Sequence, residues 1–334
     1  MKICIIGVFS GDLDEGYKNI SNYIFNDISK NHEVLKIHYT DLKLFSSWRR
    51  LKTFSPDIIH YLTAPTISSL IILRIAKLWL DNDTILVVSS LHPYSLGLLK
   101  NPILKRFISL LKPNLVLTQC NNVKELFEEI GCNTLFLPNG VDTKRFTPVD
   151  ADAKRVLRDK YGIEYDKFII LHVGHIKTTR GIDALTRVQE DSPENQVIVV
   201  GSSHFGVDKD VYRTLTSSGC YVWNKFYKNI EEIYAISDCY VFPTPVGQSI
   251  FMPLSVLEAM SCNIPVITTE YEGLKDNFDK EFGLIFIKNS NEVTQAVRMI
   301  KLEGLRIENQ RNIHPYSWEN VTMRLESAYE EIRG

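Results

Sequence analysis

The 334-residue chain has little of what would mark a disulfide scaffold, a metal module or a membrane span. Its six cysteines (Cys4, Cys120, Cys132, Cys220, Cys239, Cys262) show no C-x-x-C or other metal spacing. Several fall in apolar runs, as reduced core residues of a cytosolic protein do. The longest apolar stretch, near residues 67–80, is interrupted by Arg74 and Lys77, so nothing is expected to span a bilayer. The opening Met1-Lys-Ile-Cys-Ile-Ile-Gly7 is too short for a signal peptide and reads as a first buried strand. Repeats and low-complexity segments are absent. A net charge of −2 gives no general reason to expect nucleic acid. There is no G-x-G-x-x-G, hence no nicotinamide fingerprint. Of the Asp-x-Asp pairs, Asp81-Asn-Asp83 precedes a strand and Asp150-Ala-Asp152 falls in a linker. No cofactor and no metal are therefore expected.

What is present is a soluble globular composition, 44% apolar and 23% charged, on a chain long enough for two domains. Residues 247–267 organise it. An apolar run, Cys239–Phe242, ends in Pro-Thr-Pro; a helical pattern then begins at Pro253 and carries Leu254, Leu257 and Met260 at helical spacing. Asn263 closes that helix, and Pro265-Val-Ile-Thr starts another strand. The result is a strand–helix–strand unit whose loop enters a helix N-terminus, a natural place for an anion. Glu258 sits on this helix among apolar neighbours. A carboxylate there either faces solvent or needs hydroxyl donors from a ligand.

Strand-like and helix-like runs alternate along nearly the whole chain, which implies parallel sheets covered by helices. Six strands are expected between residues 2 and 137 and six more between 168 and 286. The turn-rich Pro138–Pro148 and the charged stretch to Lys167 separate the two sets. This predicts an α/β protein of two Rossmann-like, doubly wound domains facing a deep cleft. Residues 1–145 form the first and 146–315 the second, with a C-terminal helix near 316–334 packing back on the first. Such sheets bind ligands beyond the carboxyl ends of their strands.

Four stretches are specific in combination: Pro138-Asn-Gly-Val-Asp-Thr-Lys-Arg-Phe146, Val173-Gly-His-Ile-Lys-Thr-Thr-Arg-Gly181, Ile233-Tyr-Ala-Ile-Ser-Asp-Cys-Tyr-Val-Phe-Pro243 and 253–266. On these the chain resembles the GT-B glycosyltransferases, and among them the retaining family 4 that uses nucleotide-sugar donors. The resemblance implies that Glu258, as the second Glu of an E-x7-E motif, accepts hydrogen bonds from the donor ribose. The first Glu of that motif is replaced by Ile250, which cannot accept one. A buried sugar hydroxyl left unpaired there costs about 1–3 kcal/mol. A donor lacking that hydroxyl, backbone contacts in its place, or an impaired enzyme would each account for the change.

The resemblance further places His175 and Arg180 on the diphosphate, with Lys177 as a substitute. Arg180 keeps the charge and forms a fork, whereas His175 is mostly neutral until bound diphosphate raises its pKa. The loop Phe251–Ser255 is expected to meet the same group through the amides of Phe251, Met252, Leu254 and Ser255, Pro253 having no N–H to give, and the nucleotide base to lie against Asn224 and Phe226. His92, at a strand end before Pro93, matches a catalytic His that approaches the donor sugar from the first domain. Gly16 stands where relatives carry a Gly-Gly pair, and Asp12, Asp14 and Glu15 are candidates for acceptor hydroxyls. Gly201-Ser-Ser203 ends a further strand in the same domain, where relatives have a glycine-rich turn. Retaining members are assigned a same-face mechanism in which the leaving diphosphate helps deprotonate the acceptor.

The function implied is sugar transfer from a nucleotide-sugar to a glycan, lipid-linked or small-molecule acceptor. Two other classes share the residues: a nucleotide-sugar 2-epimerase, and a catalytically impaired binding subunit on account of Ile250. Basic segments around Lys100–Lys112 and Arg49–Lys52 suit peripheral contact with an anionic membrane at its cytoplasmic face. Helices that simply pack on the sheet with charged outer edges would look the same in sequence.

Overall fold

The computed structural model describes residues 1–9, 11, 15–80, 83–93, 97, 99–201, 206–278, 283–303 and 307–334. Asp12, Asp14, Ser202, Ser203 and the first two residues of Asp81-Asn-Asp83 lie outside them. The apolar runs pair into two wholly parallel six-stranded sheets. Internal packing divides the chain into two units. Unit 1 is Met1–Gly140 with Ile250–Met252 and Trp318–Gly334, and unit 2 is Val141–Ser249 with Pro253–Ser317.

In unit 1 the strands are β1 (Lys2–Gly7), β2 (Glu33–His38), β3 (Ile58–Tyr61), β4 (Ile85–Ser90), β5 (Leu115–Thr118) and β6 (Thr134–Phe136), in the order β2-β1-β3-β4-β5-β6. Helices α1 (Gly16–Ile28), α2 (Phe45–Phe54), α3 (Ile67–Trp79), α4 (Pro102–Leu110) and α5 (Asn121–Glu128) lie between them. One core joins Leu51 of α2, Leu73 of α3, Ile108 of α4 and Phe127 of α5 to Ile6, Ile59, Val88 and Val116 of the strands, so these four helices cover one face of the sheet. Thr66 starts α3 with a reciprocal cap to Ser69, satisfying two amides that the first turn leaves open.

In unit 2 the strands are β7 (Phe168–Gly174), β8 (Asn195–Gly201), β9 (Tyr221–Trp223), β10 (Cys239–Phe242), β11 (Val266–Thr269) and β12 (Leu284–Ile287), in the order β12-β11-β10-β7-β8-β9. The helices are α6 (Ala151–Tyr161), α7 (Ala184–Asp191), α8 (Lys209–Ser217), α9 (Ile230–Ala235), α10 (Leu254–Ser261), α11 (Glu272–Lys275), α12 (Val293–Glu303) and α13 (Asn309–Ile313). All seven residues of β8 are buried, as expected of a parallel strand covered on both faces. The last helix, α14 (Trp318–Arg333), belongs to unit 1. There Trp318 stacks on Tyr23 of α1, with ring centroids 5.0 Å apart.

The charged stretch after Pro148, expected as linker, is instead the helix α6, and Asp150 is its cap, accepting from Ala153 N at 2.8 Å. Tertiary ion pairing decides this. Lys154 reaches Asp238 Oδ1 and Arg158 reaches Oδ2, both at 2.6 Å, and Oδ2 also accepts from the Ile169 amide at 2.7 Å. The six cysteines are all buried and unbridged.

Each unit has a topological switch. In unit 1 the winding reverses between β1 and β3; in unit 2 it reverses between β7 and β10. Crevices for ligands open at the carboxyl ends of such strand pairs.

Candidate functional site

The unit 2 switch point is where the sequence concentrates its chemistry. Past the end of β7 the chain runs through His175, buried Ile176 and Lys177 into a tight turn, Thr178–Arg180. Gly181 ends the turn at φ +65°, and a Cβ there would come within 3.0 Å of the Pro243 carbonyl. Glycine therefore lets the loop after β7 close against the loop after β10. Arg180 Nη2 donates to His175 Nδ1 at 3.1 Å. A guanidinium can only donate, so this imidazole accepts at Nδ1 and carries its hydrogen on Nε2.

Among the described residues Arg180 has no carboxylate partner. Burial lowers its pKa, and the Tyr271 phenol nearby opposes that shift. An arginine stays charged even so, and a half-desolvated cation without a counter-ion favours an anionic ligand.

The loop after β10 is held from below. Thr244's carbonyl accepts from Thr269 Oγ1 at 2.6 Å and from Tyr271 Oη at 3.2 Å, and Pro245's carbonyl accepts from the same phenol at 3.3 Å. Two buried polar atoms here have no partner among the described residues, Thr244 Oγ1 and His172 Nε2. His172 donates from Nδ1 to the Val241 carbonyl at 2.9 Å, and burial pushes its pKa down to about 4, so it stays neutral. At the end of β8, a Cβ on Gly201 would sit 2.6 Å from Ile176 Cδ1 and 3.0 Å from Asn224 Oδ1. Asn224 thus lies beside the β7 loop, while Phe226 is exposed.

Glu258 lies on α10, half-buried, where Tyr234 Oη donates to Oε2 at 2.8 Å. Burial raises its pKa to about 7; the Tyr234 hydrogen bond and the Arg145 charge pull the other way, and Glu231 adds to the rise. Tyr240 connects the two halves of the site. Its hydroxyl donates to the Val173 carbonyl at 3.3 Å, and its side chain also meets Ser255, Tyr234 and Glu258. Arg180 and Glu258 therefore lie at the same end of unit 2. Pro253 is the residue before α10, and Leu254 its first residue. Helix geometry leaves the first amides there without intrahelical partners.

Ile250, Phe251 and Met252 depart from expectation. They belong to unit 1, with all three side chains buried. The Phe251 amide, expected to meet a diphosphate, is taken by the Leu91 carbonyl at 3.0 Å. The Met252 carbonyl accepts from Asn139 Nδ2 at 2.7 Å. These two bonds anchor the loop: the Phe251 amide is already taken by Leu91, and the Met252 carbonyl is held by Asn139. Ile250 Cδ1 lies 3.5 Å from where a Cβ on Gly16 would be. His92 follows Leu91 just past β4, half-buried, and Glu15 directly precedes α1. The site groups that sequence reasoning did not single out are Tyr234, Tyr240, Tyr271, His172 and Arg145. Tyr234, Tyr240 and Arg145 stand inside stretches that carried the resemblance.

Two parallel six-stranded sheets, each with its own switch point, constitute the GT-B fold. Sucrose-phosphate synthase from Thermosynechococcus elongatus superposes with a TM-score of 0.79 at 15% identity, covering 99% of this chain and 98% of that one. Anabaena HepE in complex with UDP-glucose gives 0.75 at 16% identity, covering 99% and 100%. Residues 153–317, just under half of the chain, match the family described as glycosyl transferases group 1. Among curated relatives, the sulfoquinovosyl transferase SQD2 of Arabidopsis thaliana is 26% identical over 74% of this chain and 50% of its own length. A D-inositol 3-phosphate glycosyltransferase of Geodermatophilus obscurus is 26% identical over 64% and 52%. An alpha-galactosylglucosyldiacylglycerol synthase of Streptococcus pneumoniae is 25% identical over 41% and 38%. The matches thus span about half or less of these curated relatives.

Proposed function

We propose that the chain transfers a sugar from a nucleotide-sugar donor to a glycan, lipid-linked or small-molecule acceptor, retaining the anomeric configuration and without a metal. The observation that carries this reading is the pairing of Arg180, a cation without a carboxylate among the described residues, with Glu258, an acceptor-rich carboxylate, at one switch point. Arg180 suits a diphosphate through charge-assisted hydrogen bonds, and Glu258 suits the vicinal hydroxyls of a ribose. HepE, a structural neighbour, binds UDP-glucose.

In the reaction the bond from the anomeric carbon to the diphosphate oxygen breaks, and a bond from the acceptor oxygen forms on the same face. The acceptor proton passes to a diphosphate oxygen. Arg180 stabilises the charge that grows on the leaving group, the kind of fixed electrostatic help that accounts for most of a catalytic gain. His175, donating from Nε2, and Lys177 assist on the diphosphate. His92 would approach the sugar, and Glu15 the acceptor. Ile250, which cannot accept a hydrogen bond, favours a donor without the hydroxyl that a Glu would hold there. Acceptors presented at an anionic membrane surface fit the basic helices α2, α3 and α4 of the first unit.

The test is a donor panel screened by thermal shift, followed by transfer assays with product stereochemistry read by NMR. Binding of one nucleotide-sugar and transfer with retention support the reading. Turnover of the donor without acceptor would make the chain an epimerase, and binding without any transfer would make it a binding subunit.

A further inference from the structure

Helices α2, α3 and α4 cover the same face of the unit 1 sheet, and each leaves apolar side chains outside the core. On α4 the outward set is Ile103, Phe107 and Leu110, at 78, 46 and 72% exposure. The spacing i, i+4, i+7 puts them on one stripe, while Ile108 of the same helix is buried. α4 is thus apolar on two faces, and the sheet uses only one. On α3 the exposed set is Ile75, Leu78 and Trp79, and Phe45 at the start of α2 is 77% exposed. Lys52 of α2 stands over the Trp79 ring at 4.8 Å, which joins the α2 and α3 parts of this surface.

Charge decides what this surface fits. Between residues 42 and 112 the sequence holds ten Lys or Arg against three Asp and no Glu, a balance of +7 in a chain whose total is −2. Helices α2, α3 and α4 contain no carboxylate. Glu129, past the end of α5, is the acidic group that meets α4, through Lys105; Lys112 bonds the Gly131 carbonyl; Arg106 and Lys100 are exposed. A second copy would bring the same cations against this face, whereas an anionic lipid surface takes both the cations and the apolar stripe.

We infer that this face of unit 1 docks on an anionic bilayer, with Ile103, Phe107 and Leu110 of α4 entering the interface and the surrounding Lys and Arg meeting lipid phosphates. No described helix is long and apolar enough to cross a membrane, so the contact is peripheral. The inference deepens the lipid-surface element of the proposed function but rests on the helices alone.

The experiment uses the full chain in co-sedimentation with vesicles of phosphatidylcholine, with and without phosphatidylglycerol. Binding is expected to the phosphatidylglycerol vesicles and to weaken in high salt. The combined variant Ile103→Ser, Phe107→Ser and Leu110→Ser should bind them at least about tenfold more weakly. Its melting temperature and nucleotide-sugar affinity should be unchanged, because these side chains are exposed and none of them is assigned to the donor. Three results would overturn the inference: no binding to anionic vesicles, equal binding by the variant, or a dimer in sedimentation equilibrium that the variant dissociates. Failure of sugar transfer alone leaves vesicle binding unaffected, so the two readings stand or fall separately.

Discussion

Glu258 makes donor binding depend on pH with a definite sign. In the free protein burial holds its pKa near 7, against an ordinary 4.5. Two ribose hydroxyls that donate to the carboxylate favour the anion and draw the pKa back down. If they restore the ordinary value, the coupling is about 3 kcal/mol, since one pKa unit is worth about 1.4. Affinity should then fall about 20-fold between pH 7.5 and 5.5, because the ligand must first remove a proton from the protein. The assay is isothermal titration with a nucleotide-sugar, whose diphosphate is doubly esterified and does not titrate in this range. Proton release should approach one per ligand at pH 6.

Glu258→Gln should bind more weakly at pH 7.5 and lose the downward slope. The same shift bears on stability. Between about pH 4.5 and 7 the native state holds a proton that the unfolded chain has released, so this group's contribution falls as pH rises. The Gln variant should accordingly be no less stable than the parent at pH 8. A flat affinity profile in the parent, or an equal slope in Glu258→Gln, would refute the ribose role.

Three further outcomes are expected. Arg180→Ala should weaken diphosphate-containing ligands about 10- to 100-fold while leaving binding of the bare nucleoside little changed. Comparing the two ligands by titration checks it. Tyr234→Phe removes a hydrogen bond to the Glu258 anion. The pH midpoint of donor binding should therefore move upward, and an unchanged midpoint would remove Tyr234 from the network. Gly201→Ala places a methyl 2.6 Å from Ile176. It should cost about 1–3 kcal/mol in urea unfolding and lower donor affinity, because Ile176 lies between His175 and Lys177.

Much of the architecture was legible in the residues. The twelve strands fall where short apolar runs alternate with helical patterns, and the residues around Asn263 carry the stop that closes α10; its φ is +54°. Periodicity reports local burial, so it finds strands and amphipathic helices well. It could not show that residues 151–161 form a helix, because what holds α6 is Arg158 and Lys154 reaching Asp238 some eighty residues away. Nor could it place Ile250–Met252 with unit 1, since the bonds responsible run to Leu91 and Asn139.

For the site, the sequence alone determined the positions of Arg180 and Glu258, since their loop and helix contexts are local. Only the tertiary structure decided their electrostatic state. The carboxylate's pKa near 7, and the guanidinium's lack of a carboxylate partner among the described residues, depend on what surrounds each in space, including Tyr234, Tyr240 and Tyr271. The same holds for α4, where two apolar stripes are equivalent in sequence and only packing on the sheet selects which one stays outside. Local order follows from neighbours along the chain, whereas charge state and exposure follow from neighbours brought together by folding.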